Sequence, residues 1–341
     1  MTSLKKIAEQ ANVSVATVSN VLNKRGRVGE ETRKKILRLA EELNYAPNRV
    51  AKSLKMNKSQ TIGVIVEDLS VFNAPEIIDG INAYAEEQGY SILLMNLRMK
   101  KKTGQQYPDA EVCKKEALPM FKVLLASQVE GIIYVGIHLR DVQGILPESN
   151  IPIVYTYCDT SHAEDMSVNY HDWQAAYDAV THLITNAYQD IGVITGLKNS
   201  ESTTQRLKGF KQALQDNQLV EQEQWIKNGD WSFVSGYEQG KSLLEKNEKP
   251  QAVFAMNDAM AAGVLKVAAE MGLQVPQDVA IIGFDNIEAA EYLTPRLTTV
   301  SLPLNEMGRQ SIGMLLKQIN GAPIQQKKVR LQCQLICRES S

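Results

Sequence analysis

The side chains between residues 15 and 20 have the chemistry needed to contact the edges of DNA bases. Periodicity predicts a helix from about Val15 to Leu22, with Val18 and Val21 facing inward. The outward face then carries the small or polar side chains Ala16, Thr17, Ser19 and Asn20. Such a face suits a helix that enters the major groove, where the pattern of donors and acceptors identifies each base pair.

Two further helical patterns surround this segment and must position it. One runs from about Leu4 to Gln10 and the other from about Glu30 to Asn44, each with a single apolar stripe. Asn12 tolerates the left-handed conformation of a tight turn, and Ser14 is a good N-cap for the second helix. Two helices joined by so short a turn indicate a helix-turn-helix. The alternative from pattern alone is a generic three-helix bundle.

Charge is distributed unevenly along the chain of 341 residues, whose formal net charge is only −2. Residues 1–60 hold 13 Lys and Arg but 5 Asp and Glu, whereas the remainder holds 24 basic and 34 acidic residues. A basic head on an acidic body is typical of a nucleic-acid-binding module fused to a second domain. A solvated basic surface without a partner is the alternative.

From Thr61 onward, short apolar runs alternate with helical patterns. The predicted strands are residues 62–66, 92–95, 131–135, 153–155, 191–194, 252–255 and 279–284. Such alternation indicates parallel sheets covered by helices, and these strands are too many for one sheet. We therefore predict an α/β fold with two Rossmann-like subdomains and a cleft between them, where the carboxyl ends of the strands bind a ligand.

Several classes of function lack their sequence signals. No G-x-G-x-x-G follows the first strand, no phosphate-binding G-x-x-x-x-G-K-[ST] occurs, and no nucleophilic triad is evident. The four cysteines form no C-x-x-C pair, and the four histidines are scattered. No apolar run is long enough to cross a membrane, and the N-terminus lacks a signal-peptide pattern. We therefore expect a cytoplasmic protein that is not an enzyme, with no metal, cofactor or membrane partner.

The N-terminal sequence resembles the head of the LacI–GalR family of bacterial repressors. The resemblance rests on residues 7–23 (IAEQANVSVATVSNVLN), Glu31-Thr32-Arg33 and residues 43–48 (LNYAPN). It implies a helix-turn-helix domain over residues 1–47 that binds double-stranded operator DNA with an inverted repeat. Because one such helix reads only a few base pairs, we predict a homodimer, with an interface around Glu76–Glu87.

The resemblance also implies roles for individual residues of the head. Val15, Ala16 and Asn20 lie where the family reads base edges, and the DNA backbone is expected to contact Ser14, Thr17, Asn23 and Tyr45. Many members carry Arg at the position of Asn20, and Asn suits the edge of adenine rather than that of guanine.

Residues 48–59 resemble the hinge helix and linker of the family. In the family this segment becomes ordered on operator DNA, and the residue matching Leu54 enters the minor groove at the operator centre. We include Leu54 and its neighbour Lys55 among the predicted base-contacting residues. An ordinary linker with an isolated leucine is the alternative.

Residues 60–341 resemble the family's effector-binding and dimerisation core, which is akin to periplasmic sugar-binding proteins. The strongest matches are residues 206–210, 229–231, 255–258, 283–286 and 293–300. We predict an N-subdomain of about residues 60–160 and 291–320, and a C-subdomain of about residues 161–290 and 321–341. Residues 99–120 match the family least, and we expect a solvated surface loop there.

Seven residues are predicted to bind a small effector in the cleft: Phe72, Asn73, Tyr157, Arg206, Trp231, Asn257 and Asp285. Asp285 can accept hydrogen bonds from paired hydroxyls, Arg206 can donate two, and Trp231 can stack on a sugar face. Taken singly, Arg206 can instead be a structural ion-pair partner and Asp285 a helix cap. Many sugar-binding members place an Asp where this chain has Tyr157.

The predicted function is therefore a transcription regulator, expected to be a repressor, whose operator affinity depends on a small effector. A sugar or related metabolite is the expected ligand, with a nucleobase, an unusual glycoside or a protein corepressor as alternatives. The core alone also suits the solute-binding protein of a transporter, but the basic head and the absent signal-peptide pattern argue against that function.

Overall fold

A computed structural model describes residues 4–22, 26–45, 58–104, 109–245 and 248–341. The chain divides into two compact units, Met1–Ser59 and Gln60–Ser341. Within the described residues, no helix is both long enough and apolar enough to span a membrane.

The described residues of the first unit form three helices: α1 (Leu4–Ala11), α2 (Val15–Leu22) and α3 (Glu30–Glu42). Their common core is formed by the buried residues Ile7, Ala8, Ala11, Val18, Val21, Ile36 and Ala40. Asn12 adopts a left-handed φ of 56° in the turn, and the Ser14 side chain accepts a hydrogen bond of 3.0 Å from the Thr17 N–H. The predicted turn residue and N-cap are therefore both observed.

Where the structure describes the second unit, its strands form two six-stranded sheets. The first has the order β11-β5-β4-β3-β1-β2, all parallel. Its strands are β1 (Thr61–Val66), β2 (Ser91–Asn96), β3 (Ile132–Val135), β4 (Ile153–Thr156), β5 (Met166–Tyr170) and β11 (Lys328–Leu331). The register pairs Val64 with both Leu94 and Ile133, so apolar side chains of adjacent strands form one continuous surface.

The second sheet has the order β12-β10-β9-β8-β6-β7 and is parallel except for the β10–β12 pair. Its strands are β6 (Ile191–Thr195), β7 (Ile226–Asn228), β8 (Ala252–Ala255), β9 (Ala280–Asp285), β10 (Thr298–Ser301) and β12 (Gln334–Ile336). The prediction of two parallel-sheet subdomains is therefore confirmed.

The helices of the second unit connect the strands and cover the sheets. They are α4 (Asn73–Glu87), α5 (Met99–Thr103), α6 (Ala110–Ala126), α7 (Asp172–Thr185), α8 (Glu201–Asp216), α9 (Phe233–Leu244), α10 (Asp258–Glu270) and α11 (Leu304–Ile319). Helices α4 and α11 pack closely against each other at Gly80. A Cβ atom at this position would lie 2.1 Å from the Asn305 carbonyl oxygen. Only glycine allows the two backbones to approach this far.

The subdomain boundaries differ from those predicted. Strand β5 and strand β11 belong to the first sheet, although residues 161–290 and 321–341 were assigned to the C-subdomain. Strand β10 belongs to the second sheet, although residues 291–320 were assigned to the N-subdomain. The chain therefore crosses between the subdomains near residues 171, 302 and 332. Sequence pattern alone does not specify which sheet each strand joins.

The prediction of a surface loop at residues 99–120 is also wrong for most of that segment. Helices α5 and α6 occupy the described part, and Met99, Cys113, Ala117 and Phe121 are buried. The last three recur at intervals of four, which places them on one face of a helix against the first sheet. The expectation of a loop rested on the basic run at residues 100–102, which lies outside this apolar periodicity.

Candidate effector cleft and DNA-binding face

A cavity of about 290 Å³ lies where the carboxyl ends of both sheets meet. The first subdomain contributes residues that follow β1, β2, β3 and β4: Ser70, Val71, Phe72, Lys100, Ile137, His138 and Tyr157. The second contributes residues that follow β6, β7, β8 and β9: Ser202, Arg206, Trp231, Asn257, Ala259, Asp285 and Ile287. Parallel strands end at one edge, so residues distant in sequence converge there.

Six of the seven predicted effector residues line this cavity: Phe72, Tyr157, Arg206, Trp231, Asn257 and Asp285. Asn73 does not, because helix α4 begins at Asn73 and its side chain is fully buried. Its amide donates instead to the Gly136 carbonyl oxygen at 3.1 Å. The expectation that Asn73 faces the cleft is therefore wrong.

Arg206 is held in place by contacts on every nitrogen of its guanidinium. Nε donates to Asp172 Oδ1 at 2.6 Å, Nη2 donates to the Tyr170 hydroxyl at 3.1 Å, and Nη1 donates to the Met256 carbonyl oxygen. Burial alone lowers the pKa of Arg206, but Asp172 and other neighbours raise it well above its ordinary value. The structural ion-pair role considered for Arg206 is thus present, and the two guanidinium hydrogens left over can serve a ligand.

Asp285 is the last residue of β9 and has a positive φ of 109°, which turns the chain sharply at the cavity. Its Oδ1 lies 3.7 Å from Arg206 Nη1, and burial raises the pKa of its carboxyl well above the usual range despite that cation. The alternative role of Asp285 as a helix cap is wrong. The short helix that follows, Glu288–Glu291, has no side-chain cap, and the Ile287 N–H that precedes it donates to Asp258 Oδ2 at 2.9 Å. Asp285 therefore keeps acceptor capacity for a ligand.

Asn257 and Trp231 are joined by a hydrogen bond. Asn257 caps α10, since its Oδ1 accepts from the Met260 N–H and its Nδ2 donates to the Trp231 carbonyl oxygen, both at 2.9 Å. Trp231 has a left-handed φ of 74°, and a Cβ on Gly196 would lie 1.9 Å from its ring. The indole therefore rests on a glycine, while its buried Nε1 has no hydrogen-bond partner among the described residues.

Two aromatic side chains come from the first subdomain. Tyr157 follows β4 with a φ of 59°, and its ring centroid lies 5.5 Å from that of Tyr170. Phe72 precedes α4 and is 40% exposed, which leaves its ring available at the cavity. Together with Trp231 these rings provide flat apolar surfaces on which a planar or ring-shaped ligand can stack.

Sequence reasoning missed eight of the lining residues, and the polar ones among them are Ser70, Lys100, His138 and Ser202. All four follow strand ends, which is the signal that would have identified them. Burial, and next the charge of Arg140, lowers the pKa of His138 to about 3, so this imidazole is neutral. Its loop is anchored by the buried Glu67, which accepts from Arg140 Nη1 and from the Ile137 N–H, each at 3.0 Å.

In the first unit, the exposed residues of α2 include Val15, Ala16 and Asn20. Ser14 is exposed next to them, and its Oγ lies 2.8 Å from the Oγ1 of the half-buried Thr17. Tyr45 packs against the edge of the three-helix core. The outward face predicted for α2 is therefore observed. Asn23, Leu54, Lys55 and the predicted hinge helix lie outside the described residues.

The fold and these two sites define a class of protein: a helix-turn-helix head joined to a core of the periplasmic-binding-protein type. Residues 3–48 match the family described as bacterial regulatory proteins, lacI family, and residues 180–341 match the periplasmic binding protein-like domain. Among the residues described, no cluster of His, Cys, Asp and Glu is placed to hold a metal ion.

Relatives match across both parts of the chain. Catabolite control protein A of Priestia megaterium is 35% identical, with 98% of each chain covered. The HTH-type transcriptional repressor PurR of Actinobacillus pleuropneumoniae serotype 3 is 32% identical, covering 100% of this chain and 98% of its own. A crystal structure of the lac repressor dimer bound to operator and the anti-inducer ONPF superposes with a TM-score of 0.81 at 29% identity, covering 99% and 98% of the two chains. The chain therefore belongs to the LacI family of bacterial transcription regulators, which sets aside the transporter alternative.

Proposed function

We propose that the chain is a cytoplasmic repressor that binds an inverted-repeat operator as a homodimer. Its affinity for the operator falls or rises when a small effector occupies the cleft. The observation that carries the proposal is the convergence of six predicted side chains, from separate segments of the chain, on one cavity. Both subdomains supply walls of this cavity, so a ligand bound there favours one subdomain arrangement over another. A ligand with different affinity for two arrangements shifts their populations.

The DNA-binding part of the proposal is supported by the chemistry of α2. Val15 is 44% exposed, and the Asn20 amide offers the donor and acceptor pair that matches adenine. Ser14 and Thr17 present hydroxyls at the start of the same helix, where contacts to phosphates position a protein without specifying sequence. We assign Val15, Ala16 and Asn20 to base contacts, and Ser14, Thr17 and Tyr45 to the DNA backbone. Asn23, Leu54 and Lys55 keep their roles as proposals from sequence.

The ligand class of the cleft is a sugar or related metabolite, with a nucleobase as the second candidate. Asp285 and Arg206 suit the hydroxyls of a sugar, and Phe72, Tyr157 and Trp231 suit stacking on either ligand. The second candidate is favoured by Tyr157, whose aromatic ring stands where many sugar-binding members have a carboxylate.

The test is selection of bound sequences from a random DNA pool by the purified full-length protein, followed by effector titration on the selected site. We expect an inverted repeat, a dimer by sedimentation at micromolar concentration, and a metabolite that changes the operator dissociation constant at least tenfold. Recovery of a single half-site, or a monomer in sedimentation, contradicts the dimeric model. An operator affinity that no metabolite changes contradicts the effector model.

A further inference from the structure

We infer that the first subdomain has a second small-molecule site, separate from the effector cleft, which binds an organic ammonium compound with an apolar body. The site is a groove at the amino ends of β4 and β5, whereas the effector cavity lies at the carboxyl ends of the strands. The inference therefore goes beyond the proposed function and does not depend on it.

The groove arises from two connections between strands. Residues 136–152 join β3 to β4 and residues 157–165 join β4 to β5, and both connections are fully described and contain no helix. Parallel strands are usually joined through a helix. Here the irregular segment 136–152 covers the sheet instead, with Ile145 and Leu146 buried in the same apolar cluster as Tyr155. A cavity of about 530 Å³ remains between this segment, the segment before β5 and the end of α11.

Tyr155 lines the groove with a hydroxyl that has no protein partner. This residue is only 5% exposed, and its hydroxyl forms no hydrogen bond with any described residue. The hydroxyl of the adjacent Tyr134, whose ring centroid lies 6.0 Å away, is by contrast used inside the protein, because it donates to the buried Glu67. The Tyr155 hydroxyl can therefore accept a hydrogen bond from a ligand in the groove or donate one.

The charged side chains of the groove leave an excess of negative charge. The lining has three carboxylates, those of Glu148, Glu164 and Asp165, against the ammonium of Lys327 and the imidazole of His162. Lys327 is paired with Glu164 at 2.5 Å, and the His162 ring lies 3.5 Å from Asp165. Even with the imidazole protonated, the carboxylates of the lining outnumber its cations. A positively charged ligand complements this lining.

The cation that follows Lys327 along the chain does not change this balance. Lys328 does not line the groove, and its ammonium is engaged with Asp159 at 3.5 Å and with the Thr160 carbonyl oxygen at 2.7 Å. The remaining polar side chains of the lining are neutral and offer donors and acceptors alike; they are Gln143, Ser149 and Gln318.

Acceptors for an ammonium group lie close together at Tyr155 and Asp165. Burial, and next the charge of Asp165, raises the pKa of Tyr155 well above its ordinary value, so the hydroxyl stays neutral beside the carboxylate. Asp165 Oδ2 accepts from Thr160 Oγ1 at 2.8 Å, which holds the carboxylate at the start of β5. Because each carboxylate oxygen can accept more than one hydrogen bond, Asp165 keeps capacity for an N–H donor.

The rest of the groove determines the body of the ligand. Its apolar lining consists of Leu146, Pro147, Ile151, Pro152, Ile153 and Met166. The cavity volume lies within the range of small-molecule sites, in which apolar walls surround a few polar groups. A ligand with an apolar body and one ammonium end buries its body against these walls and directs its N–H donors to Tyr155 and Asp165. An anionic ligand of the same shape meets the carboxylates instead.

The experiment compares three probes of similar shape on the full-length protein: phenethylamine, phenethyl alcohol and phenylacetate. Binding is measured by calorimetry at neutral pH and constant ionic strength. We expect phenethylamine to bind saturably and at least tenfold more tightly than the alcohol or the carboxylate. Tyr155→Phe is expected to weaken amine binding by about three- to tenfold, as for the loss of one hydrogen bond. Because that hydroxyl has no partner in the protein, the same substitution is expected not to lower the midpoint temperature of unfolding without ligand.

Tyr292→Phe is the matched control, because Tyr292 is exposed and does not line the groove. No saturable amine binding, equal binding of the alcohol, or equal effects of the two tyrosine substitutions overturns the inference. Asp285→Asn distinguishes the groove from the effector cleft. Loss of amine binding in Asp285→Asn, with normal binding in Tyr155→Phe, places the amine in the cleft and also overturns the inference.

Discussion

The Arg206 guanidinium, on α8 of the second subdomain, donates through Nη2 to the hydroxyl of Tyr170, in β5 of the first sheet, at 3.1 Å. The same guanidinium is paired with Asp172, which lies just beyond the first crossover between subdomains. An effector that contacts Arg206 therefore acts on a residue that already bridges the two subdomains. Under the proposed function, this hydrogen bond links occupation of the cavity to the arrangement of the two subdomains.

Replacement of Arg206 by Met is expected to destabilise the core by about 3–5 kcal/mol, because Asp172 then remains buried without its cation. The measurement is urea unfolding of the second unit followed by far-UV circular dichroism. Adding Asp172→Asn to the same chain removes the uncompensated charge and is expected to recover part of the loss. A double variant as unstable as the single one would show that the ion pair is not the source of the effect.

Asp285→Asn is expected to reduce or abolish the effector response while leaving operator affinity without effector within about twofold. Asparagine preserves the shape and tolerates the positive φ of 109° better than alanine, so that the loss reports on the carboxylate. The measurement is operator binding by fluorescence anisotropy with and without effector. Glu288→Gln, at an exposed site on the following turn, is the control. A normal response in Asp285→Asn would remove Asp285 from the site.

We expect Asp258 to make the stability of the core depend on pH. Burial raises the pKa of its carboxyl to about 7, against the lowering effect of the hydrogen bond from Thr299 and of backbone hydrogen bonds. Its folded-state pKa exceeds the unfolded value near 3.8, so its stabilisation is full below about pH 4 and is lost as the pH rises through 7. The loss is on the order of a few kcal/mol.

We therefore expect the midpoint temperature of thermal unfolding of the wild type to decrease as the pH is raised from 5 to 8. The decrease is larger than that of Asp258→Asn over the same range. The asparagine can keep the hydrogen bond from the Ile287 N–H and has no proton to lose in this range. Parallel pH profiles for the two proteins would mean that Asp258 has an ordinary pKa.

Asn20→Ala is expected to relax base preference at one position in each half-site, at a cost of about 1–3 kcal/mol for the preferred base. The reason is loss of the paired donor and acceptor on the exposed face of α2. Binding to a set of single-base operator variants measures the effect. Lys34→Gln, on the exposed surface of α3, is the comparison, since loss of a non-specific charge changes all sequences alike. Uniform weakening by Asn20→Ala would exclude it from base contacts.

Leu54→Ala tests the segment that is predicted from sequence alone. An apolar side chain inserted at the operator centre contributes only where the DNA can be kinked. We therefore expect a large loss of affinity for the selected operator and little change for random-sequence DNA, both measured at one salt concentration. A similar loss of affinity for both DNAs would refute the insertion of Leu54 into the minor groove.

The head could be predicted almost completely from its sequence. The three helices, the Asn12 turn and the Ser14 cap depend on residues within a few positions of one another, and such local interactions are visible in the pattern. The central strands of both sheets were predicted for a similar reason, because they are short, apolar and buried on both faces.

Other features depended on which segments meet in space. Strands β5 and β11 join the first sheet and β10 joins the second, and nothing in their own residues specifies which sheet they join. Asn73 follows strand β1 and Asp285 ends strand β9, yet only Asp285 lines the cavity. Helix α4 begins at Asn73, whose side chain is buried and donates to the Gly136 carbonyl oxygen.

By itself, the sequence determined the family, the three helices of the head, the two-sheet architecture and six of the side chains that line the cavity, because each leaves a local pattern. The tertiary structure decided the subdomain boundaries, the pairing of Arg206 with Asp172 and the neutral state of His138. Those properties depend on burial and on partners far along the chain, and solvent exclusion at a site is a property of the packed molecule rather than of any segment.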